Sequence, residues 1–458
     1  MHPHNRFFLF LVFLIITIGA SDISALDFGL GGSTDSAIAT PLSSQSSFAW
    51  FSFEPIATLG GAGYGGALSW DIKIAPLAQG KTAPAEVTLL PGESRIRMAF
   101  GNGMSISAGW MKDEARAAEL FPQTVFYGPA DPLSRFETGG GTTDRETEPL
   151  IMASISGDWW RASATLAPWA PSLVLPNLDS PWFPPTLVPS SIVIAGQTYN
   201  LGDLSYDSTT DASPTWTVDP SWSLSAGLSL GSLDLDAWYF DGLERDATIY
   251  GNAILGTGVG YSFAVSLVPE RSHVRKVAAA ATWVADSFRV WGESSWTWGA
   301  SFATGSVGST FLNPGSYFQP GSSLLLTQTA PVVPVDKMGA TFGASFSPDL
   351  GTLVLTAFLE GTANWYFGAP TWSKSPFLSK AIGGALSIAD QAGRLEADLG
   401  GIFSIDDLSY ALRPALRLGF GGDRDLEFAY PLFEGNAGSE FGQFASMRYI
   451  TATFTQRF

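Results

Sequence analysis

Cysteine is absent from the 458 residues, so the chain has neither a disulfide framework nor thiol chemistry. Histidine is nearly absent. Of three, His2 and His4 stand at the extreme N-terminus, which leaves His273. A Ser-His-acid triad must therefore run through His273, and zinc sites usually need several His or Cys ligands, so catalysis and histidine-based metal binding are disfavoured. Lysine is scarce, seven of 24 basic residues, against 42 acidic ones. A net charge of −18 argues against nucleic acid, whose phosphates select a basic patch. Charged residues make up only 14%. After residue 25 no apolar run approaches the ~20 residues that a membrane-crossing helix needs. Heptads and internal repeats are missing too.

Glycine and aromatics are plentiful: 50 Gly, 32 Phe, 16 Trp and 12 Tyr. The length suits two or three soluble domains or one large barrel. A chain that is apolar overall yet lacks long apolar runs can give one residue in two to lipid, which is the composition of a transmembrane β-barrel. The N-terminus agrees. Arg6 is followed by an apolar stretch over 7–18, broken by Thr17, and then by small residues ending I-S-A at 25 or I-G-A at 20. This predicts a signal peptide over 1–25 and a barrel over 26–458. Removing 1–25 leaves 23 basic and 41 acidic residues, still −18.

Segments of about ten residues alternate apolar and polar side chains, the period-two pattern of half-buried strands. In 394–405, Leu395, Ala397, Leu399, Phe403 and Ile405 oppose Arg394, Glu396 and Asp398. In 409–420, Leu412, Leu416, Leu418 and Phe420 oppose Arg413 and Arg417, and in 425–432 Leu426 and Phe428 oppose Asp425 and Glu427. The same grammar runs through Leu68 to Ile74, Arg95 to Phe100, Leu233 to Tyr239 and Leu353 to Glu360. Tight turns fall at 101–103, 156–158, 231–232, 347–351, 389–393 and 421–423, and longer connections at 77–93, 112–148, 169–219, 299–336, 363–378 and 433–443. The two kinds largely take turns along the chain, apart from three short connections on the rim of long loops, at 241–246, 269–273 and 406–408. The expected fold is all-β: an antiparallel up-and-down transmembrane barrel of about 18 strands (16–20), with weak strands at 26–36 and 247–255. Trp50, Trp70, Trp110, Trp160, Trp296 and Trp298 lie near strand ends, where interfacial girdles form.

The last twelve residues read M-R-Y-I-T-A-T-F-T-Q-R-F. Ile450, Ala452, Phe454 and Phe458 share one face, and Tyr449, Thr451, Thr453, Thr455 and Arg457 the other. This segment resembles the closing strand of bacterial outer-membrane β-barrels of the porin-like kind, although Gln456 stands where that family usually has an aromatic or apolar residue. The resemblance implies periplasmic termini with short turns beside them, long loops outside, and Phe454 and Phe458 as a signal read by the barrel-assembly machinery. Two loop stretches, the Pro- and Trp-rich 169–190 and Y-G-P-A-D-P at 127–132, are similar to loops of alginate-export-type porins. Proline cannot join a ladder, so 169–190 is expected to be an ordered loop that either constricts the lumen or caps its mouth.

The candidate functional residues are the charges on the polar side of the strands: Arg95, Arg97, Arg161, Asp234, Asp236, Arg289, Glu293, Glu360, Arg394, Glu396, Asp398, Arg413, Arg417, Asp425 and Glu427. In a pore, such side chains line the lumen and set the field that selects permeants. Taking Asp406-Asp407 as a two-residue turn and 421–423 as a three-residue turn puts Glu396 and Glu427 on either side of Arg417, an ion-pair ladder that stiffens the wall. His273, in V-P-E-R-S-H, is read as a solvated residue of a short outer loop. The glycines of 60–66, G-G-A-G-Y-G-G, precede a strand rather than a helix and so form a turn, not a phosphate loop. Asp203, Asp207 and Asp211 are a weak calcium candidate without EF-hand spacing. The sequence thus points to a porin-like channel for passive diffusion of small hydrophilic solutes, without cofactor or enzymatic activity. It would be embedded in outer-membrane lipid of a diderm bacterium after signal-directed export. The alternatives are a barrel whose outer loops bind ligands, or a plugged transporter of hydrophobic compounds.

Overall fold

The computed structural model describes residues 25–41, 48–63, 68–82, 85–90, 92–112, 118, 120–127, 147–169, 191–194, 197–206, 220–245, 248–256, 262–303, 324–326, 332–348, 350–369, 379–421 and 423–457. The expected signal peptide over 1–25 (apart from Ala25), the loop stretches 128–132 and 170–190, Asp207 and Asp211 of the calcium candidate, and Phe458 lie outside these residues.

Eighteen strands form the wall. They are β1 (Ala25–Pro41), β2 (Phe48–Gly63), β3 (Leu68–Ile74), β4 (Ser94–Phe100), β5 (Met104–Met111), β6 (Glu148–Ser156), β7 (Trp160–Ala167), β8 (Ser221–Leu230) and β9 (Leu233–Leu243). The second half comprises β10 (His273–Ala285), β11 (Phe288–Ala303), β12 (Val332–Phe346), β13 (Leu353–Phe367), β14 (Lys380–Asp390), β15 (Leu395–Ser404), β16 (Tyr410–Gly419), β17 (Arg424–Ala429) and β18 (Tyr449–Arg457). Each pairs antiparallel with the next, and β18 returns to β1 from Ser33↔Arg457 to Pro41↔Tyr449, which closes the barrel and leaves no open edge. Tight turns join strands at the end that carries both Ala25 and Arg457. At the two-residue turn 286–287, Asp286 has φ 48°, a left-handed conformation that Asp tolerates and that hairpin twist demands.

The alternation sorts the wall into two faces. On β8, Trp222, Leu224, Leu228 and Leu230 are exposed outward, and Ser221, Ser223, Ser225 and Ser229 turn inward. Outward aromatics mark two levels: Trp283, Phe288 and Phe346 near the termini, and Trp298, Trp365 and Phe367 at the far end. From Phe288 to Trp298 is ten residues, which at about 3.3 Å each on a strand tilted about 40° rises about 25 Å, the height of a bilayer-facing band. A closed barrel with such a band is built to stand in lipid.

The strand count agrees with the sequence reading, but two assignments change. The segment 247–255 is not wall. Thr248–Gly256 and Ser262–Glu270 form a hairpin that joins Ser191–Ile194, Gln197–Tyr206 and Leu324–Leu326 in a separate five-stranded sheet. Within it Gln197–Tyr206 runs parallel to Ser262–Glu270, a pairing between two different connections. The supposed short connections 241–246 and 269–273 are therefore the two flanks of one connection, 244–272. Periodicity misled because a strand of a separate sheet alternates like a strand of the wall. In addition, Gly60–Gly63 continues β2 rather than forming a turn, since β2 pairs with β3 as far as Gly63↔Leu68. The hairpin Leu77–Thr82 and Ala85–Leu90 adds to the far end of β2 at Trp50↔Lys81.

Candidate functional site

The connection between β5 and β6 enters the barrel. Its described part, Ala118 and 120–127, carries Leu120, Phe121, Pro122, Val125, Phe126 and Tyr127, too apolar a stretch to lie on a wet loop. Ala118, Phe126 and Tyr127 pack with inward Trp238, Phe240, Ala278, Ala280 and Trp291 of β9 to β11. Leu120 and Phe121 pack with Ala381, Ile402 and Ala411 of β14 to β16, and with Phe433, Phe441 and Phe444 of the last connection. One ten-residue stretch can touch such distant strands only by crossing the lumen.

Two wall carboxylates hold it. Glu293 on β11 accepts from the Ala118 N–H (3.0 Å), the Gln123 N–H (2.6 Å) and the Thr124 hydroxyl (3.1 Å). Glu360 on β13 accepts from the N–H groups of Leu120 (3.0 Å) and Phe121 (2.6 Å) and from the Trp291 indole (3.1 Å). Backbone donors that a strand or helix would satisfy are satisfied here by side chains, which lets an irregular segment be buried. The Gln123 side chain lies over β12, receiving the Ser295 hydroxyl (3.1 Å) and donating to Thr341 (3.3 Å). Gly339 makes room for it, since a Cβ there would lie 2.0 Å from Gln123 Oε1.

The far end of the segment is clamped. Tyr127 donates to the Thr165 carbonyl at 3.3 Å. The Arg245 guanidinium lies 5.8 Å over the Tyr127 ring and makes a two-pronged ion pair with Glu148, both side chains being 2% exposed or less. Arg245 also donates to the Ser221 hydroxyl (3.2 Å) and the Leu243 carbonyl (2.7 Å). One residue thus ties together the ends of three connections.

All fifteen sequence-predicted charges point inward by register, except that Arg394 lies in the turn before β15. Their surroundings differ. Glu293 and Glu360, 3% and 0% exposed, lie beneath the inward segment and are not open lumen lining. The Arg289 guanidinium lies 4.8 Å over the Trp291 ring. Arg161 reaches across Gly227 to Asp236 with bonds of 3.0 and 2.6 Å. A Cβ at Gly227 would stand 2.2 Å from Asp236 Oδ1, so only glycine leaves the crossing open. Asp234 accepts from the Ser229 hydroxyl. Arg95 is 3.6 Å from Glu93 and 4.0 Å from Asp71, which pairs in register with Arg97. The expected ladder is present: Glu396↔Arg417 and Arg417↔Glu427 are register pairs, with ion pairs of 2.9 Å on both sides. Arg413 joins Glu427, Arg457 meets Asp425 at 3.1 Å, and Asp398 lies opposite Ser387 and Ala415.

His273 is the first residue of β10, on the outer wall rather than in a loop, with Nε2 2.6 Å from Asp241. Asp203 is an exposed residue of the five-stranded sheet, and no metal-ligand cluster occurs among the described residues. Phe454 faces outward, half-exposed.

No family model and no curated protein matches the sequence. Solved structures do match in outline. A porin structure refined to high resolution aligns over 94% of this chain and 100% of its own at 9% identity, with a TM-score of 0.39. An engineered Rh. blastica porin aligns over 94% and 100% at 10% identity and 0.39. Salmonella typhi OmpF in complex with daunomycin aligns over 94% and 97% at 9% identity and 0.41. The chain is an 18-stranded β-barrel. That statement stands on its own strand pairing, closure and outward apolar band, whatever the likeness to these porins.

Proposed function

We propose that the protein is an outer-membrane channel through which small hydrophilic solutes diffuse passively, after export directed by residues 1–25. The observation that supports it most is the placement of the inward segment. Its described contacts fall on β5 to β7 and β9 to β16 and reach β18 only at its first residue, Tyr449, so the passage in this reading runs between it and the wall formed by β17, the rest of β18 and β1 to β4. Barrels of 16 to 18 strands are wide enough to keep an aqueous channel beside such a loop. The charges on that side of the lumen are mostly paired with one another, and paired charges exert a weak net field. The permeants are accordingly small and polar, with modest preference for either sign of charge.

The separate five-stranded sheet, built from the connections at the end opposite the termini, favours a second reading, in which ligands bind at that end and the lumen stays shut. Single-channel recording of the refolded mature protein in a planar bilayer separates the two. Stable conductance steps are expected. A folded, heat-modifiable barrel that conducts nothing would overturn the channel reading and leave the surface-binding one.

A further inference from the structure

One charged cluster faces lipid. On the outward face of β9 and β10, Asp241 pairs in register with Arg275, and Leu243 with His273. Asp241 Oδ1 is 2.6 Å from His273 Nε2, and Oδ2 is 3.4 Å from Arg275 Nε and 3.2 Å from the Tyr239 hydroxyl. The carboxylate is the recessed member, 18% exposed, whereas the cationic side chains stand outermost, Arg275 at 69% and His273 at 46%. Only the Nε side of the Arg275 guanidinium is engaged by Asp241, and its terminal nitrogens make no hydrogen bond among the described residues.

The height of this cluster identifies what meets it. Arg275 shares a rung with Trp298, a member of the girdle at the far end. Trp222, outward on β8 and in register with Asp241, packs on Tyr239 with ring centroids 5.2 Å apart. Aromatic girdles sit at headgroup depth, where an outward arginine costs little and meets polar lipid groups directly. A guanidinium matches a phosphate geometrically as well as by charge, and here the Asp241 carboxylate, itself held by Tyr239 and His273, positions it. We propose that Arg275, oriented by Asp241 and flanked by His273, binds the phosphate of an anionic lipid headgroup in the leaflet opposite the termini. The site is independent of the channel reading and rests only on the barrel's being embedded in lipid.

Native mass spectrometry of the full refolded barrel tests this, with phosphatidylglycerol, diphosphorylated lipid A or zwitterionic phosphatidylcholine offered in equal amounts. Retention of the anionic lipids about fivefold above phosphatidylcholine is expected, the effect of one arginine near a charged surface. Arg275→Gln, checked for folding by heat-modifiable migration, should abolish the preference, and Arg275→Lys should keep part of it. Equal retention of all three lipids by the wild-type protein would overturn the proposal without any variant having to fold. An unchanged preference in folded Arg275→Gln would overturn it too. Displacement of the lipid by millimolar inorganic phosphate would show a free-anion site and refute the lipid assignment.

Discussion

Glu293 and Glu360 hold the inward segment by accepting backbone N–H groups, so what matters at these positions is the ionised acceptor. Replacing Glu360 by Gln keeps the shape and weakens the bonds from Leu120 and Phe121, since bonds to a charged acceptor are about twice as strong as neutral ones. At about 1–3 kcal/mol, amide exchange at Leu120 and Phe121 should accelerate by about fivefold or more, and channel noise should increase. Unchanged exchange would mean that the apolar packing holds the segment unaided. Gly227→Ala makes a second point test. The new methyl occupies the line between Arg161 and Asp236, so the pair must part and the barrel should lose about 1–3 kcal/mol, read as a lower temperature of heat-modifiable unfolding. Alternation foretold the inward direction of all these residues. It said nothing of depth: Glu293 and Glu396 sit in the same apolar–polar pattern, and only the folded chain reveals that one lies under a segment and the other faces an arginine.

Among elements, the strands were legible because each carries its own period-two signal, and the Glu396–Arg417–Glu427 register followed from turn length alone. The connections were not, since their destinations are set by contacts far away in sequence. The Pro- and Trp-rich stretch 169–190, expected either to constrict the lumen or to cap its mouth, lies outside the described residues but for Trp169, whereas the inward course of 118–127, within the long connection 112–148, is set by its distant contacts. The last connection is pinned in a comparable way. Asp407, in the turn between β15 and β16, accepts the Glu440 N–H (2.6 Å) and the Ser409 hydroxyl and N–H (2.7 and 3.2 Å). Burial pushes this carboxyl up, but the hydrogen bonds from Ser409 and Glu440 prevail and hold it below the ordinary carboxylate range. A depressed carboxyl contributes its stability above its unfolded value and loses it as pH falls through the lower folded value. Docking of 435–447 should therefore be firm at neutral pH and loosen only below the usual carboxylate range. In Asp407→Asn the loosening should already be present at pH 7, followed by amide exchange at Glu440. Protection of the Glu440 amide, relative to its intrinsic exchange, that stays constant as pH falls below the carboxylate range would count against this role.

For the molecule as a whole, closure, the lipid-facing band and the lumen charges are one arrangement: each strand turns one side outward and the other either to its neighbours' polar groups or to the inward segment. Composition announced this much, because a chain so rich in Gly and aromatics yet without a long apolar run has few other ways to bury its surface. The separate five-stranded sheet was hidden, since nothing in a strand's sequence says which sheet it joins. If the passage runs along β17, β18 and β1 to β4, the ladder on β15 to β17 lies at its margin and balances carboxylates against arginines. Removing Arg413 and Arg417 together leaves Glu396 and Glu427 uncompensated in the lumen. The reversal potential under a salt gradient should then shift toward cation selectivity, most strongly at low ionic strength where the Debye length is longest. Conductance should change less than selectivity, because the arginines are replaced by smaller side chains and the aperture is set by the segment 118–127. Should the double variant keep the wild-type reversal potential while remaining a folded, conducting barrel, ions do not pass along this wall, and the passage must be sought on the other side of the inward segment.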